Sequence, residues 1–292
     1  MTVFTAAVAS VDSYELAEGP VWDAARQRVL WVDINAGHVY SGLLRAGRLD
    51  VVDRIAFPGT VGAAASSAAG DLIVAGQRHI HYLDSRGHRR IGPQLIPDRI
   101  SSRLNDGGCD PAGRFLAGSL ALDGRQCEEA LVRIENDSVT VIDKDLTLSN
   151  GLAWSPDASL MYNIDTTPGI IWARSYDSNG VAGPRTEFLR FTDGGLPDGL
   201  CTDVDGNLWV AVWGAGQVRC FSPTGSRLGT VEVPAPNTSS AAFVGPNLDT
   251  LLITTARENL SADQLAEFPD SGRLFVAQVG TSGSPVAAWC GH

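Results

Sequence analysis

A four-residue turn returns along this chain at an almost constant interval, and that period restricts the folds open to it more than any other feature. The turns are Trp22-Asp23-Ala24-Ala25, Ser67-Ala68-Ala69-Gly70, Asp110-Pro111-Ala112-Gly113, Ser155-Pro156-Asp157-Ala158, Asp203-Val204-Asp205-Gly206 and Gly245-Pro246-Asn247-Leu248. Their last residues lie 45, 43, 45, 48 and 42 positions apart. Each turn is followed by a short β-rich run, from Val29-Leu30-Trp31-Val32 in the first to Leu251-Leu252-Ile253 in the last, and in most repeats by a second run such as Val218-Arg219-Cys220-Phe221. Three or four short strands per unit form one small twisted sheet, which cannot bury both faces unless neighbours stack against it in a ring. Six units account for nearly all of residues 1–292, so the expectation is a single domain, an all-β, six-bladed propeller. A β-sandwich with evenly spaced turns is the alternative. The terminal segments Val3–Ala9 and Leu274–Val279 are expected to pair in one shared blade and close the ring, which removes the open sheet edge. One helix is expected, opened by a capping box at Ser261-Ala262-Asp263-Gln264 and ended before Pro269.

Charge and cysteine usage narrow the class. Thirty-three Asp and Glu face 22 Lys and Arg, a formal charge of -11 that is repelled by phosphate backbones and anionic lipid, so neither nucleic acid nor membrane is the expected partner. Thirty-two Gly and 15 Pro fit many tight turns better than long helices. The five cysteines form no C-x-x-C pair and are expected to be free, mostly buried thiols. With no basic leader at the start and no run of about 18 apolar residues, the expected location is cytoplasmic.

In a propeller the innermost strand of each blade runs along the central channel, so residues at one fixed phase just before it line one mouth together. Counting eight back from each turn's last residue gives Ala17, Gly62, Asn105, Asn150, Asp198 and Ser240, and a one-residue shift in the first repeat brings in Glu18. Four repeats therefore aim Glu18, Asn105, Asn150 and Asp198 at one axial region. Carboxylate and amide oxygens without thiolates or histidine pairs suit a hard divalent cation. Asn or Asp before Gly is also an ordinary turn former, and Asn105-Asp106-Gly107, Asn150-Gly151 and Asp198-Gly199 have that form. Recurrence in phase, together with a Glu18 that serves no such turn, favours the shared site. Asp106 reads as a supporting or turn residue, and His79 and His81 as a partly exposed strand pair away from the mouth.

These residues also carry a resemblance. Glu18-Gly19-Pro20-Val21-Trp22, Arg103-Leu104-Asn105-Asp106-Gly107, Ser149-Asn150-Gly151-Leu152-Ala153-Trp154-Ser155-Pro156-Asp157 and Pro197-Asp198-Gly199, in this order, resemble the SMP-30/gluconolactonase/luciferin-regenerating (regucalcin-like) family across essentially the whole chain. The resemblance implies one divalent metal ion held by Glu18, Asn150 and Asp198, with Ca, Zn, Mg, Mn or Fe(II) all acceptable to oxygen ligands. It further implies that Arg103 and Asn105 contact a sugar. Where the family shows G-T-M followed by a substrate-contacting Glu, this chain reads Gly118-Ser119-Leu120-Ala121-Leu122-Asp123, which makes Asp123 the shorter substitute.

The expected activity is a metal-dependent lactonase that opens a sugar-acid (aldono-) lactone, a small-molecule substrate of sugar catabolism. Asp198 is expected to act as general base as well as ligand, and the fork of donors on Arg103 to bind ring hydroxyls or developing charge. Two alternatives stand beside it. One is an aryl-ester or phosphotriester hydrolase on the same residues, and the other a non-catalytic calcium-binding propeller.

Overall fold

The run that follows each turn is apolar at consecutive positions because both faces of its strand are covered. Side chains alternate across a strand, so Leu30 and Val32 face one way and Val29 and Trp31 the other. Leu30 and Val32 pack against Val61, Leu72 and Val74 of the next sheet, while Val29 and Trp31 pack against Val244, Leu252 and Leu274 of the last. The same alternation sends Leu208 and Val210 toward Ile164 and Ile171, and Trp209 and Ala211 toward Phe243 and Ile253. Apolar clusters of this kind fill each of the six gaps between neighbouring sheets.

A computed structural model describes residues 1–291. Its six sheets form a six-bladed β-propeller, five of four strands and one of five. The innermost strands of blades I to VI are Ala17–Asp23, Val61–Ser66, Ser102–Cys109, Ser149–Trp154, Leu196–Thr202 and Thr238–Val244. Each turn named above leads from the innermost strand of its blade to the second. In blade I the turn starts one residue later than its sequence suggests. Asp23 Oδ1 accepts the Arg26 N–H at 3.0 Å, as Asp110 Oδ1 accepts from Ala112 and Arg114 and Asp203 Oδ1 from Asp205 and Asn207. Counted from Arg26, eight back falls on Glu18 directly, and the one-residue shift disappears.

Ring closure departs from the expectation in one respect. Ala7–Val8 do pair with Phe275–Ala277 as the outer strand of blade VI, with Ala7 opposite Val276 and Val8 opposite Phe275. Thr2–Thr5, however, run parallel to Arg227–Glu232 and complete blade V instead. The N-terminal segment thus covers two adjacent sheet edges rather than one. At the other terminus, residues 283–290 cross the turn end of the channel. Gly283 and Ser284 donate to Leu248 and Thr202 of blades VI and V, and Trp289 and Cys290 to Ser66 and Gly113 of blades II and III, at 2.8–3.0 Å.

The capping box is present in full: Ser261 Oγ accepts from Gln264 N, Gln264 Oε1 accepts from Ser261 N, and the helix Ala262–Glu267 stops at Phe268. No helix among the described residues is long and apolar enough to cross a membrane. All five cysteines are free, but Cys127 and Cys290 are exposed rather than buried. One lies on a surface loop and the other in the C-terminal strap.

Candidate functional site

Every innermost strand carries a register break at the same phase. The breaks fall between Glu18 and Val21, Val61 and Ala63, Leu104 and Gly107, Asn150 and Leu152, Pro197 and Leu200, and Thr238 and Ser240. A bulge bends its strand and re-aims the side chains beside it, which is why such breaks gather where side chains must leave the ladder. The candidate residues therefore sit inside the innermost strands, not just ahead of them. Glu18, Arg103, Asn105, Asn150 and Asp198 are all less than one-tenth exposed.

The glycines that follow Asn150 and Asp198 are strand residues rather than turn residues. Neither has the positive φ of a left-handed turn. A Cβ on Gly151 would meet the Asp198 carbonyl oxygen at 2.7 Å, and one on Gly199 would meet Ser240 Oγ at 2.1 Å. Glycine here lets the innermost strands of neighbouring blades approach near the axis, so it serves the site and not a turn.

The polar side chains form a connected series across three blades. Arg103 Nη1 donates to Asn105 Oδ1 at 2.7 Å, and Asn105 Nδ2 donates to Asn150 Oδ1 at 3.1 Å and to the Ser149 carbonyl at 3.0 Å. Asn150 Nδ2 donates to Thr166 Oγ1 at 3.0 Å, and Thr166 Oγ1 donates to the Pro197 carbonyl at 2.8 Å, beside Asp198. Glu18 Oε2 accepts from the Gly19 N–H at 2.9 Å.

Charge in this mouth is unbalanced. Burial, then the charges of Asp198 and Asp106, pushes the Glu18 carboxyl well above the usual range, and only the Gly19 N–H and Arg103 oppose it. Burial and Asp106 push Asp198 up in the same way, with an Asn150 side-chain hydrogen bond and Arg103 pulling back. Burial raises Asp106 to about 6 against the Gly107 N–H it accepts at 2.7 Å. Burial in turn draws Arg103 below its ordinary value, despite the carboxylates of Glu258, Glu18 and Asp198. Two buried carboxyls and a half-buried third share one buried guanidinium, and an added cation would favour their ionised forms.

The donor set fits a hard divalent cation on those grounds: oxygen atoms only, two of them carboxylates in want of positive charge. Among the described residues no group of three or more His, Cys, Asp and Glu could hold a metal, and the set Glu18, Asn150 and Asp198 differs in taking its third member from an amide. Asp123 is exposed on the loop after the second strand of blade III and paired with Arg125 at 2.8 Å. Arg125 Nη2 in turn donates to Ser102 Oγ at 2.7 Å, next to Arg103.

Two side chains, Glu258 and Thr166, escaped sequence reasoning, and of the two readings open for Asp106, supporting or turn residue, the structure favours the first. Glu258, held by Asn35 Nδ2 at 2.9 Å, acts on both Arg103 and Asp198. Thr166 belongs to a loop outside every motif. For Asp106 the adjacent motif was a usable signal, whereas Glu258 and Thr166 carry none.

The turn end of the channel is different in kind. A cavity of about 740 Å³ is lined there by Trp22, Leu152, Trp154, Leu200, Phe243 and Val286, the last from the C-terminal strap, and it reaches inward to Asp106.

The family model described as SMP-30/Gluconolactonase/LRE-like region matches residues 16–257. Regucalcin of Danio rerio is 33% identical over 286 residues, 95% of each chain. The 6-deoxy-6-sulfogluconolactonase of Pseudomonas putida is 35% identical over 274 residues, 92% of each. Among solved structures, the calcium-binding protein regucalcin of Agrobacterium tumefaciens superimposes with a TM-score of 0.91 at 27% identity, over 99% of both chains.

Proposed function

As a premise, the chain belongs to the SMP-30/gluconolactonase/LRE-like family, and we propose from it that this protein hydrolyses a sugar-acid lactone to the free aldonic acid with the help of one divalent cation. The observation that carries the reading is the convergence of two buried carboxylates, Glu18 and Asp198, with the Asn150 amide and the Arg103–Asn105 donors, from four separate blades. A scaffold that only binds a protein partner has no use for buried, mutually repelling carboxylates; a hydrolase has. The name of the Pseudomonas putida relative, a gluconolactonase, points to the same substrate class.

In this reading Glu18, Asn150 and Asp198 would hold the cation, which would supply polarisation of the lactone carbonyl and a counter-charge for its oxygen. Asp198 takes a proton from the attacking water, its carboxyl kept ionised by the positive charge beside it. Arg103 and Asn105 orient the sugar through its hydroxyls, the guanidinium giving two donors in a fixed plane. Asp123 acts at the rim, through Arg125. Water adds to the carbonyl carbon, the ring C–O bond breaks, and the ring oxygen leaves with a proton as a hydroxyl.

The test is proton release from a panel of five- and six-membered aldonolactones, using chelated protein with Ca, Mg, Mn, Zn or Fe(II) added back. Turnover that appears only with added metal is the expected result, and the lactone turned over fastest names the substrate. Tight metal binding without turnover of any lactone would sink the assignment and leave an ester or phosphotriester hydrolase, or a calcium-binding propeller, to be tested in its place.

A further inference from the structure

We infer that Thr166 is a positioning residue for this site: its hydroxyl, together with Asn105, holds the Asn150 amide in one orientation and ties that amide to the strand that carries Asp198. The inference rests on the lactonase reading only for its effect on turnover; the hydrogen-bond argument stands apart from it.

A guanidinium can only donate and a carbonyl can only accept, so the series that starts at Arg103 and ends at the Pro197 carbonyl has a single sense. Arg103 donates to Asn105 Oδ1, which commits Asn105 Nδ2 to donate onward to Asn150 Oδ1. At the other end Thr166 gives its one proton to the Pro197 carbonyl at 2.8 Å, so toward Asn150 it can only accept, and Asn150 Nδ2 must donate to it. Both ends require the same orientation of the Asn150 amide, with its oxygen toward Asn105 and its nitrogen toward Thr166. A flipped amide would set oxygen against the Thr166 acceptor and nitrogen against the Asn105 donor.

Thr166 stands immediately after the second strand of blade IV, Leu160–Asp165, and is 5% exposed. Its hydroxyl therefore reaches from blade IV to the innermost strand of blade V, one residue before Asp198. Nearby, the Asn105 bond to the Ser149 carbonyl joins blade III to blade IV. A β-branched hydroxyl residue is well suited to this, because its methyl group and restricted χ1 hold the oxygen in place. Outer partners that orient a ligating side chain typically change metal affinity or activity by about 10- to 100-fold when removed.

The first measurement uses wild-type, full-length, metal-free protein and needs no variant: hydrogen exchange of the Asn150 side-chain amide protons by ¹H–¹⁵N NMR. Exchange slowed at least tenfold against an exposed asparagine is expected, and free exchange would overturn the inference. Thr166→Val should then speed that exchange about tenfold, whereas Thr166→Ser should keep the wild-type rate. If the protein turns over lactones, Thr166→Val should also lower kcat/KM by about 10- to 100-fold, with rescue in Thr166→Ser. Wild-type exchange and turnover in Thr166→Val would refute the positioning role. A wild-type protein that hydrolyses no lactone would instead refute the proposed function, while the amide measurement would still decide the role of Thr166.

Discussion

The two ends of the central channel are built from the same six strands and share almost nothing in chemistry. At or just ahead of the register breaks lie Glu18, Arg103, Asn105, Asn150 and Asp198, buried, polar and short of positive charge. Beyond the breaks the same strands present Trp22, Leu152, Leu200 and Phe243 to an apolar cavity crossed by the C-terminal strap. One end carries buried carboxyls with too little positive charge beside them, and the other an apolar cavity. The contrast is that each of these register breaks separates a polar, charged stretch of its strand from an apolar one.

If that division is right, substitutions at the two ends should fail in different ways. The largest effect is expected from Asp198→Ala, which should lower kcat/KM by more than about 10³-fold, as removal of a catalytic base or ligand does. Its melting temperature in chelator should stay level or rise, because a buried, repelled carboxyl has been removed. Retained full activity would take Asp198 out of the mechanism.

Trp289→Ala should do the reverse. Trp289 is 5% exposed and stacks on Tyr82 with centroids 5.6 Å apart, so its truncation should cost about 3–5 kcal/mol in urea unfolding. Activity at the far mouth should change less than twofold. A large loss of kcat/KM without a loss of stability would show that the strap end shares in function after all.

The smallest effect concerns pH and would sharpen the line between the halves at Asp106, which touches both. Its folded pKa of about 6 lies above the 3.8 of a free Asp side chain, so folding is favoured by protonation. That contribution is complete below pH 3.8 and is lost as pH rises through about 6. A shift of this size corresponds to at most about 3 kcal/mol. Chelated protein should therefore lose stability across that window, and Asp106→Asn should flatten the slope; an unchanged slope would assign the effect to other groups.

How legible all this was depended on distance along the chain. The blade count was readable because each turn is a local event: Asp110 and Asp203 close their own turns with bonds to residues two and four ahead. Apolar runs such as Val29–Val32 were readable because strand alternation is local too. The phase that brings Glu18, Asn105, Asn150 and Asp198 together follows from both. The first turn was displaced by one residue because Ala24-Ala25 lacks the Gly or Pro that marks the others, although the Asp23 bond to Arg26 gives its true start.

What the amino-acid order determined by itself was thus the repeat, the propeller and the in-phase polar positions, since all three rest on contacts within one blade or on counting between blades. Tertiary structure alone decided the rest. It split the N-terminal segment between blades V and VI, because which sheet edge lies open is known only when the ring has closed. It turned Gly151 and Gly199 from expected turn formers into points of close approach between blades. It drew Thr166, Glu258 and Asp106 into the mouth, because burial and the charges of neighbouring blades exist only in the assembled ring.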